Sequence, residues 1–426
     1  NLNTGQNNWR QKVSSVGVPI IDGKNIFVVT KNGFFVILEK DTGKIVSSVS
    51  SLLLVLVFGN LVSKTDYGTY QYILSITGIL SATALPGMTT ALQQAVARGK
   101  EGMVKEMIYA RIRWGLIGGF ISLGFAGYYF LQDNIVLTLG FLIAGIFLPF
   151  MDSISIFGSI FSGRKEFRLN SIYGSSLLIL RTMGMIAVIF LTQHIGWIIL
   201  AYFLLNTLSR LALLVILFVF YPPNTEKDPS SISYGKHLSL MNILGAFAVQ
   251  ADKIIMWHLL GPVALATYSF ALSPIAQIQS WFKSIETLAF PKLASSDSEV
   301  LKKTLPRKII RLFFFVVPVV VLYITLAPWL YKIFLPQYIN SVLYSQALAL
   351  ILLFLPQKLL ASAITAKADK KALYIITTAT PIVRIAGISI FVFFFGIWGV
   401  VIGTLLPYAV NTFMLTYFFL RMKTHS

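Results

Sequence analysis

From Ser50 to Leu420 the chain alternates long apolar runs with short polar breaks about a dozen times. An α-helix needs roughly 20 apolar residues to cross the hydrocarbon core of a bilayer. The pattern therefore predicts crossing helices at 46–62, 69–97, 112–131, 134–161, 171–192, 195–220, 238–260, 262–290, 309–328, 339–361, 372–395 and 397–420. Bases crowd every second break: Arg98, Lys100, Lys105, Arg111 and Arg113; Arg164, Lys165 and Arg168; Lys227 and Lys236; Lys292, Lys302, Lys303, Arg307, Lys308 and Arg311; Lys367, Lys370 and Lys371. The breaks between them offer Lys64 and Lys332. Basic loops mark the cytoplasmic face, so both ends of this multi-pass region are expected in the cytoplasm, with Arg421 and Lys423 closing the last helix.

Composition agrees: 56% of the residues are hydrophobic and 12% charged, and the mean hydropathy of +0.76 lies outside the range of a soluble globule. The net charge of +19 would point to nucleic acid in a soluble protein. Here the bases lie in loops, where they set topology and meet anionic lipid, so membrane lipid is the expected partner and nucleic acid is not. The chain has no Cys, which excludes disulfides and thiolate chemistry. His194, His237, His258 and His425 lack metal-ligand spacing, and neither a P-loop nor a G-x-S-x-G elbow occurs. No enzyme activity and no cofactor are expected, with H⁺ or Na⁺ coupling left open. The chain begins at Asn1 without Met or a signal peptide, so a preceding segment is expected.

Residues 1–47 follow another grammar. Short β-branched and aromatic runs at 17–21, 25–30, 34–39 and 44–48 alternate with D-G-K-N, K-N-G and K-D-T-G turns, a hairpin pattern. Thr4-Gly5 aligns with Thr42-Gly43 at a spacing of 38 residues, a period suited to four-stranded propeller blades. Through T-G-x-x-x-W at Thr4 to Trp9 and the run from Val28 to Leu38, the segment resembles one blade of a PQQ-type β-propeller like that of the outer-membrane assembly lipoprotein. A lone blade cannot bury its faces, so a join between unrelated coding sequences is expected near residues 46–50.

The membrane region carries a weak repeat. A shift of 198 residues lays 61–75 on 259–273, matching Leu61, Thr69, Tyr70, Leu74 and Ser75 to Leu259, Thr267, Tyr268, Leu272 and Ser273. The expected architecture is all-α: about twelve transmembrane helices in two six-helix bundles around a central cavity, preceded by the short β-hairpin or propeller-blade fragment. The expected domains are 1–47, a bundle at 48–220, a cytoplasmic linker at 221–237 and a second bundle at 238–426.

Three runs carry a resemblance: Phe58 to Ile76, A-D-K-I-I-M-x-x-L-L-G-P-x-A-L-A-T-Y-S-F-A from Ala251 to Ala271, and A-F-P-K-L-A from Ala289 to Ala294. Through them residues 50–420 resemble the bacterial polysaccharide-export and O-antigen flippases of the multidrug/oligosaccharidyl-lipid/polysaccharide superfamily. The resemblance implies a protein of the bacterial cytoplasmic (inner) membrane. It would move undecaprenyl-diphosphate-linked oligosaccharides, such as lipopolysaccharide O-antigen units, by alternating access, with glycan polymerase or assembly proteins as neighbours.

Such cargo needs a wet, cationic path, and ionisable groups in mid-span normally face a cavity or a partner because lipid excludes them. Arg181 and Arg384 fall near the middle of their runs, on helices that correspond in the six-plus-six scheme, so they are expected to face each other as a phosphate-binding pair. Asp252 and Lys253, with Gln250 beside them, form a second cluster; neighbours on a helix point about 100° apart, so the two charges should face different ways. Arg210 and Asp152 are further candidates, and Asn60 and Gln71 are polar groups suited to a cavity wall. Two rival classes remain: a drug or cation antiporter of the same fold, which would rely on buried carboxylates, and a non-transport scaffold of a glycan-assembly complex.

Overall fold

The computed structural model describes the backbone of residues 20–22, 25–29, 35–37, 42–295, 298–366 and 370–421, and the side chains of 50–280, 299–365 and 372–421. It divides into two units, Asn1–Val46 and Ser47–Ser426. In the first, β1 (Ile20–Asp22), β2 (Asn25–Val29) and β3 (Phe35–Ile37) form an antiparallel sheet in the order β1-β2-β3, with Ile20 opposite Phe27 and Val28 opposite Val36. The Thr4–Trp9 motif lies outside the described residues.

The second unit is helical. Helix α1 (Thr42–Leu61) begins before Val46 and takes in 44–48, where the sequence pattern suggests a strand, because the apolar part that follows needs Ile45–Ser51 to reach the length of a crossing. Next come α2 (Lys64–Leu80), a 3₁₀ turn at Ser81–Ala84 and α3 (Gly87–Ala97), bent by 46° at the break. The series continues with α4 (Val104–Phe130), α5 (Ile135–Met151), α6 (Phe157–Gly163), α7 (Phe167–Thr192) and α8 (Ile195–Phe220). A linker leads to α9 (Ser230–Met241) and to α10 (Ile243–Ser295). The rest is α11 (Ser298–Phe334), a 3₁₀ turn at Pro336–Ser341, α12 (Val342–Leu348), 3₁₀ residues Ala349–Gln357, α13 (Lys358–Ala366), α14 (Lys370–Phe395) and α15 (Ile397–Arg421).

Each expected apolar run falls on one or more of these helices. Among the described residues, seven helices are long and apolar enough to cross a membrane, or eight if the bent α2–α3 pair is one span. Several runs are interrupted where a single helix was expected. Helix α5 ends at Met151, just past Pro149, whose ring removes a helical hydrogen bond, and α6 resumes at Phe157. The break expected between 238–260 and 262–290 falls within α10 at Gly261, where the helix turns back; its φ of +83° suits glycine, and Pro262 follows with the fixed φ that opens a helix.

The lipid-facing surface is apolar: Phe120, Phe190, Leu191, Phe314, Phe393 and Phe394 are all well exposed. The apolar interior is unevenly divided. One core runs through both halves at the end carrying Ser63, Gly261 and Leu335, joining Phe58, Tyr67, Tyr72 and Phe141 to Tyr268, Phe270 and Tyr338. At the opposite, basic end the described residues form two separate cores. One holds Met88, Met107, Phe157 and Leu217; the other holds Leu301, Leu305, Leu360 and Phe419.

The continuous core depends on a close approach. A Cβ on Gly68 of α2 would lie 2.0 Å from the Pro262 carbonyl oxygen, so only glycine lets the two backbones meet. Tyr72 then stacks on Trp257 with ring centroids 4.6 Å apart, and Phe270 packs on Tyr67 and Tyr338.

Candidate functional site

Among helices α1–α8, charged side chains gather where α5 is interrupted. The break frees carbonyls at the end of α5 that have no intrahelical donor. Arg111 of α4, only 3% exposed, supplies donors: its Nε donates to Ala84 O at 2.9 Å and its terminal nitrogens to Asp152 O at 2.6 Å and Ser155 O at 3.4 Å. A guanidinium carries five donors in a fixed fork, and a cation is favoured at a helix C-terminus. Its place in a basic break made Arg111 look like a loop residue; the structure corrects this, setting it inside the bundle as a cap.

Arg210 of α8 reaches the same break, donating to Met151 O and to Asp152 Oδ1, both at 2.7 Å. Asp152 is thus shared, its carbonyl with Arg111 and its carboxylate with Arg210. Arg181 of α7 donates to Asn206 Oδ1 at 2.7 Å, while its buried Nε has no protein partner. No carboxylate among the described residues lies within ion-pair range of Arg181.

In the other half the centre is Asp252 of α10, 1% exposed. Its Oδ2 accepts from Tyr268 OH at 2.9 Å and from Arg384 of α14 at 3.0 Å, and its Oδ1 accepts from the Lys253 backbone N–H at 2.9 Å. Tyr268 OH also meets Thr404 Oγ of α15 at 3.0 Å. The carboxylate therefore ties both legs of α10 to α14 and α15. Arg181 and Arg384, expected as a facing pair, are each engaged within their own half, by Asn206 and Asp252 respectively.

Lys253 points the other way. Its Nζ donates across the halves to Gln71 Oε1 of α2 at 3.2 Å, and Gln71 Nε2 donates to Tyr67 OH at 2.8 Å. This is the divergence that helical geometry gives to consecutive residues. Gln250, three residues earlier, lies against Gly78 of α2, and its buried Oε1 has no protein partner. Asn60 sits at the joined end: its Nδ2 donates to Phe334 O at 2.8 Å and its backbone carbonyl accepts from Gln337 at 3.1 Å.

Among the described residues of the spanning helices, the interior thus holds five cations, Arg111, Arg181, Arg210, Lys253 and Arg384, against two carboxylates, Asp152 and Asp252. Both carboxylates are engaged by guanidinium. Arg181 and Lys253 are the interior cations held by neutral amides, with donors left for a further acceptor. No group of three metal-ligating side chains occurs among the described residues. Asn206, Thr404 and the capping role of Arg111 were not foreseen. Asn206 could have been noticed as a lone amide in an apolar run one turn before Arg210; Thr404 gives no sign in sequence.

A second polar knot lies at the basic end, outside the membrane-spanning helices. Arg164, just after α6, makes a bidentate contact with Glu101 at 2.7 and 2.5 Å and also donates to Tyr221 O and Pro222 O. Glu101 accepts in addition from the Asn224 backbone N–H at 3.1 Å. The Arg164 guanidinium holds the Glu101 carboxyl below its ordinary value of 4.5, against the opposing pull of partial burial, and Arg164 is raised in turn. Arg98 with Asp228 and Lys227 with Glu106 extend the fastening to the linker before α9.

Comparison with known proteins adds a family and a fold. A family model described as polysaccharide biosynthesis protein matches residues 29–297. No curated protein matches the chain in sequence. Among solved structures the chain is similar to the lipid II flippase MurJ in an inward closed conformation, with a TM-score of 0.65, 14% identity and coverage of 88% of this chain and 86% of that one. It is also similar to an inward-facing multidrug resistance transporter of the MATE family, in the MOP superfamily, with a TM-score of 0.63, 14% identity and coverage of 91% and 100%. A MOP superfamily transporter from Pyrococcus furiosus, described as having a binding pocket of reverse polarity, gives 0.54 at 16% identity and covers 90% and 97%. At such identities the likeness is one of fold.

Proposed function

The chain belongs to the polysaccharide biosynthesis protein family, and from that premise we propose that it flips undecaprenyl-diphosphate-linked oligosaccharide from the inner to the outer leaflet of the bacterial cytoplasmic membrane. In this reading the chain makes about twelve crossings, with the basic end cytoplasmic, and 48–220 and 238–426 are two bundles joined by the 221–237 linker. The O-antigen repeat unit is the proposed cargo, with glycan polymerase or assembly proteins as neighbours. Residues 1–47 are read as a propeller-blade fragment joined to the transporter.

The observation that carries the reading is the pair of interior cations held only by neutral side-chain amides, Arg181 and Lys253. A diphosphate lost from water must regain charge-assisted hydrogen bonds, and these groups offer them with little competition from acids. Arg210 and Arg384, with Asp152 and Asp252 as their counter-ions, set the cationic wall, and Gln71, Gln250 and Asn206 are amides able to meet sugar hydroxyls. The division of the core suits alternating access: joined at one end and split at the basic end, it leaves the halves free to part toward the cytoplasm. A cation antiporter is disfavoured because the buried carboxylates already hold guanidinium partners.

The test is export of surface glycan in a host lacking its own flippase and complemented with the chain. Arg181→Gln and Lys253→Gln should each reduce export by tenfold or more, about 1.4 kcal/mol or greater, at unchanged protein level. Arg181→Lys should recover part, since it keeps the charge and loses the planar fork. Full export by a well-expressed Arg181→Gln, Lys253→Gln double variant would overturn the assignment.

A further inference from the structure

Where α4 passes α9, a groove of about 740 Å³ is lined by Glu106, Tyr109, Ala110, Arg113, Trp114, Ile117 and Lys236. Its single acid is already taken, since Glu106 accepts from Lys227 at 2.9 Å. Arg113 and Lys236 are exposed and have no carboxylate within ion-pair range among the described residues. The groove therefore presents two uncommitted cations.

Their height on α4 decides what they can meet. N-terminal to Arg113 the helix carries Lys105, Glu106 and an exposed Tyr109; beyond Trp114 the exposed large side chains Leu116, Ile117, Phe120, Ile121 and Leu123 are all apolar. Trp114 marks the boundary, as tryptophans do at the headgroup level. On the face of Arg113, at helical spacing, lie Ile117, Phe120, Gly124 and Gly127, and a Cβ at either glycine would meet nothing within 4 Å. A cationic mouth at headgroup height thus continues into an open apolar track.

We propose that this groove is a binding site for an acidic glycerophospholipid of the membrane leaflet at the basic end. Its phosphate lies between Arg113 and Lys236, and one acyl chain follows Ile117 and Phe120. Charge complementarity selects an anionic lipid, because a zwitterionic headgroup brings its own cation to the same pair. The site involves neither Arg181 nor Lys253, so it stands or falls apart from the cargo assignment.

The test is quenching of Trp114 in the full chain reconstituted into phosphatidylcholine vesicles. A minor fraction of lipid carries brominated acyl chains, either phosphatidylglycerol or phosphatidylcholine, and the Trp114 contribution is taken as the difference from a Trp114→Phe variant. Apparent affinity for the brominated phosphatidylglycerol should be roughly tenfold higher, the order expected when two bases each favour an anionic lipid. The preference should fall severalfold in Lys236→Gln and vanish in Arg113→Gln, Lys236→Gln; both positions are exposed, and an unchanged gel-filtration profile confirms folding. Equal quenching by the two lipids in the parent, or a preference kept in the double variant, would refute the site. Displacement of the phosphatidylglycerol by a polyprenyl diphosphate at equal mole fraction would assign the groove to the cargo and also overturn the proposal.

Discussion

Removing Asp252 gives the sharpest test of how the second half is held together. Asp252→Ala takes away three accepted hydrogen bonds at once, from Arg384, Tyr268 and the Lys253 N–H. A buried ion pair stripped of one partner costs on the order of 3–5 kcal/mol. Arg384 keeps a side-chain exposure of 20% and can recover some hydration, which places the expected loss near the lower end, about 3 kcal/mol. Spread over a melting unit as long as 47–426, that corresponds to a fall of roughly 4 °C in midpoint. The assay is survival of the folded peak on gel filtration after heating in detergent. Replacing Arg384 as well, in Asp252→Ala, Arg384→Leu, should recover most of the loss, with a coupling of about 2 kcal/mol. Lys253→Gln, which leaves the carboxylate satisfied, should melt within about 1 °C of the parent on the same scale. An Asp252→Ala protein that melts with the parent, or a double variant no more stable than the single, would refute the brace.

Two further predictions address the ends of the bundle. Gly68→Ala places a methyl 2.0 Å from the Pro262 carbonyl oxygen and must push α2 from α10. A single cysteine at buried Thr69 should then be alkylated severalfold faster by an impermeant reagent than in the Gly68 parent, and an unchanged rate would count against closure at this seam. At the basic end the Glu101 carboxyl is held below 4.5 in the folded chain. The stability it contributes is therefore fully present above the unfolded value and is lost as pH falls through the lower folded one. Amide exchange in 221–229, corrected for its intrinsic pH dependence, should accelerate as the pH drops below about 4, the model-peptide range of carboxylates. Glu101→Gln should be loosened at neutral pH by on the order of 2 kcal/mol, a difference that closes as the parent carboxyl is protonated, and equal protection in the two proteins at neutral pH would refute the knot.

Hydrophobic period and loop charge, read along the chain, determined the helical membrane architecture, because lipid imposes on each span a length and an apolar surface that need no knowledge of its neighbours. The same reading located the ionisable residues that must find partners, since a charge in an apolar run is conspicuous wherever the run packs. It also separated Asp252 from Lys253 by direction alone. The partners themselves were decided only by the tertiary structure. That Arg384 meets Asp252 rather than Arg181, that Thr404 joins through Tyr268, and that Arg111 caps the broken end of α5 each depend on contacts between helices far apart in sequence. Helix packing fixes those contacts through shape, as at Gly68 and Pro262, and shape is a property of surfaces brought together rather than of any stretch of chain. The core joined at one end and divided at the other is of the same kind: each helix carries its apolar residues, but which half they pack against is settled only by the fold.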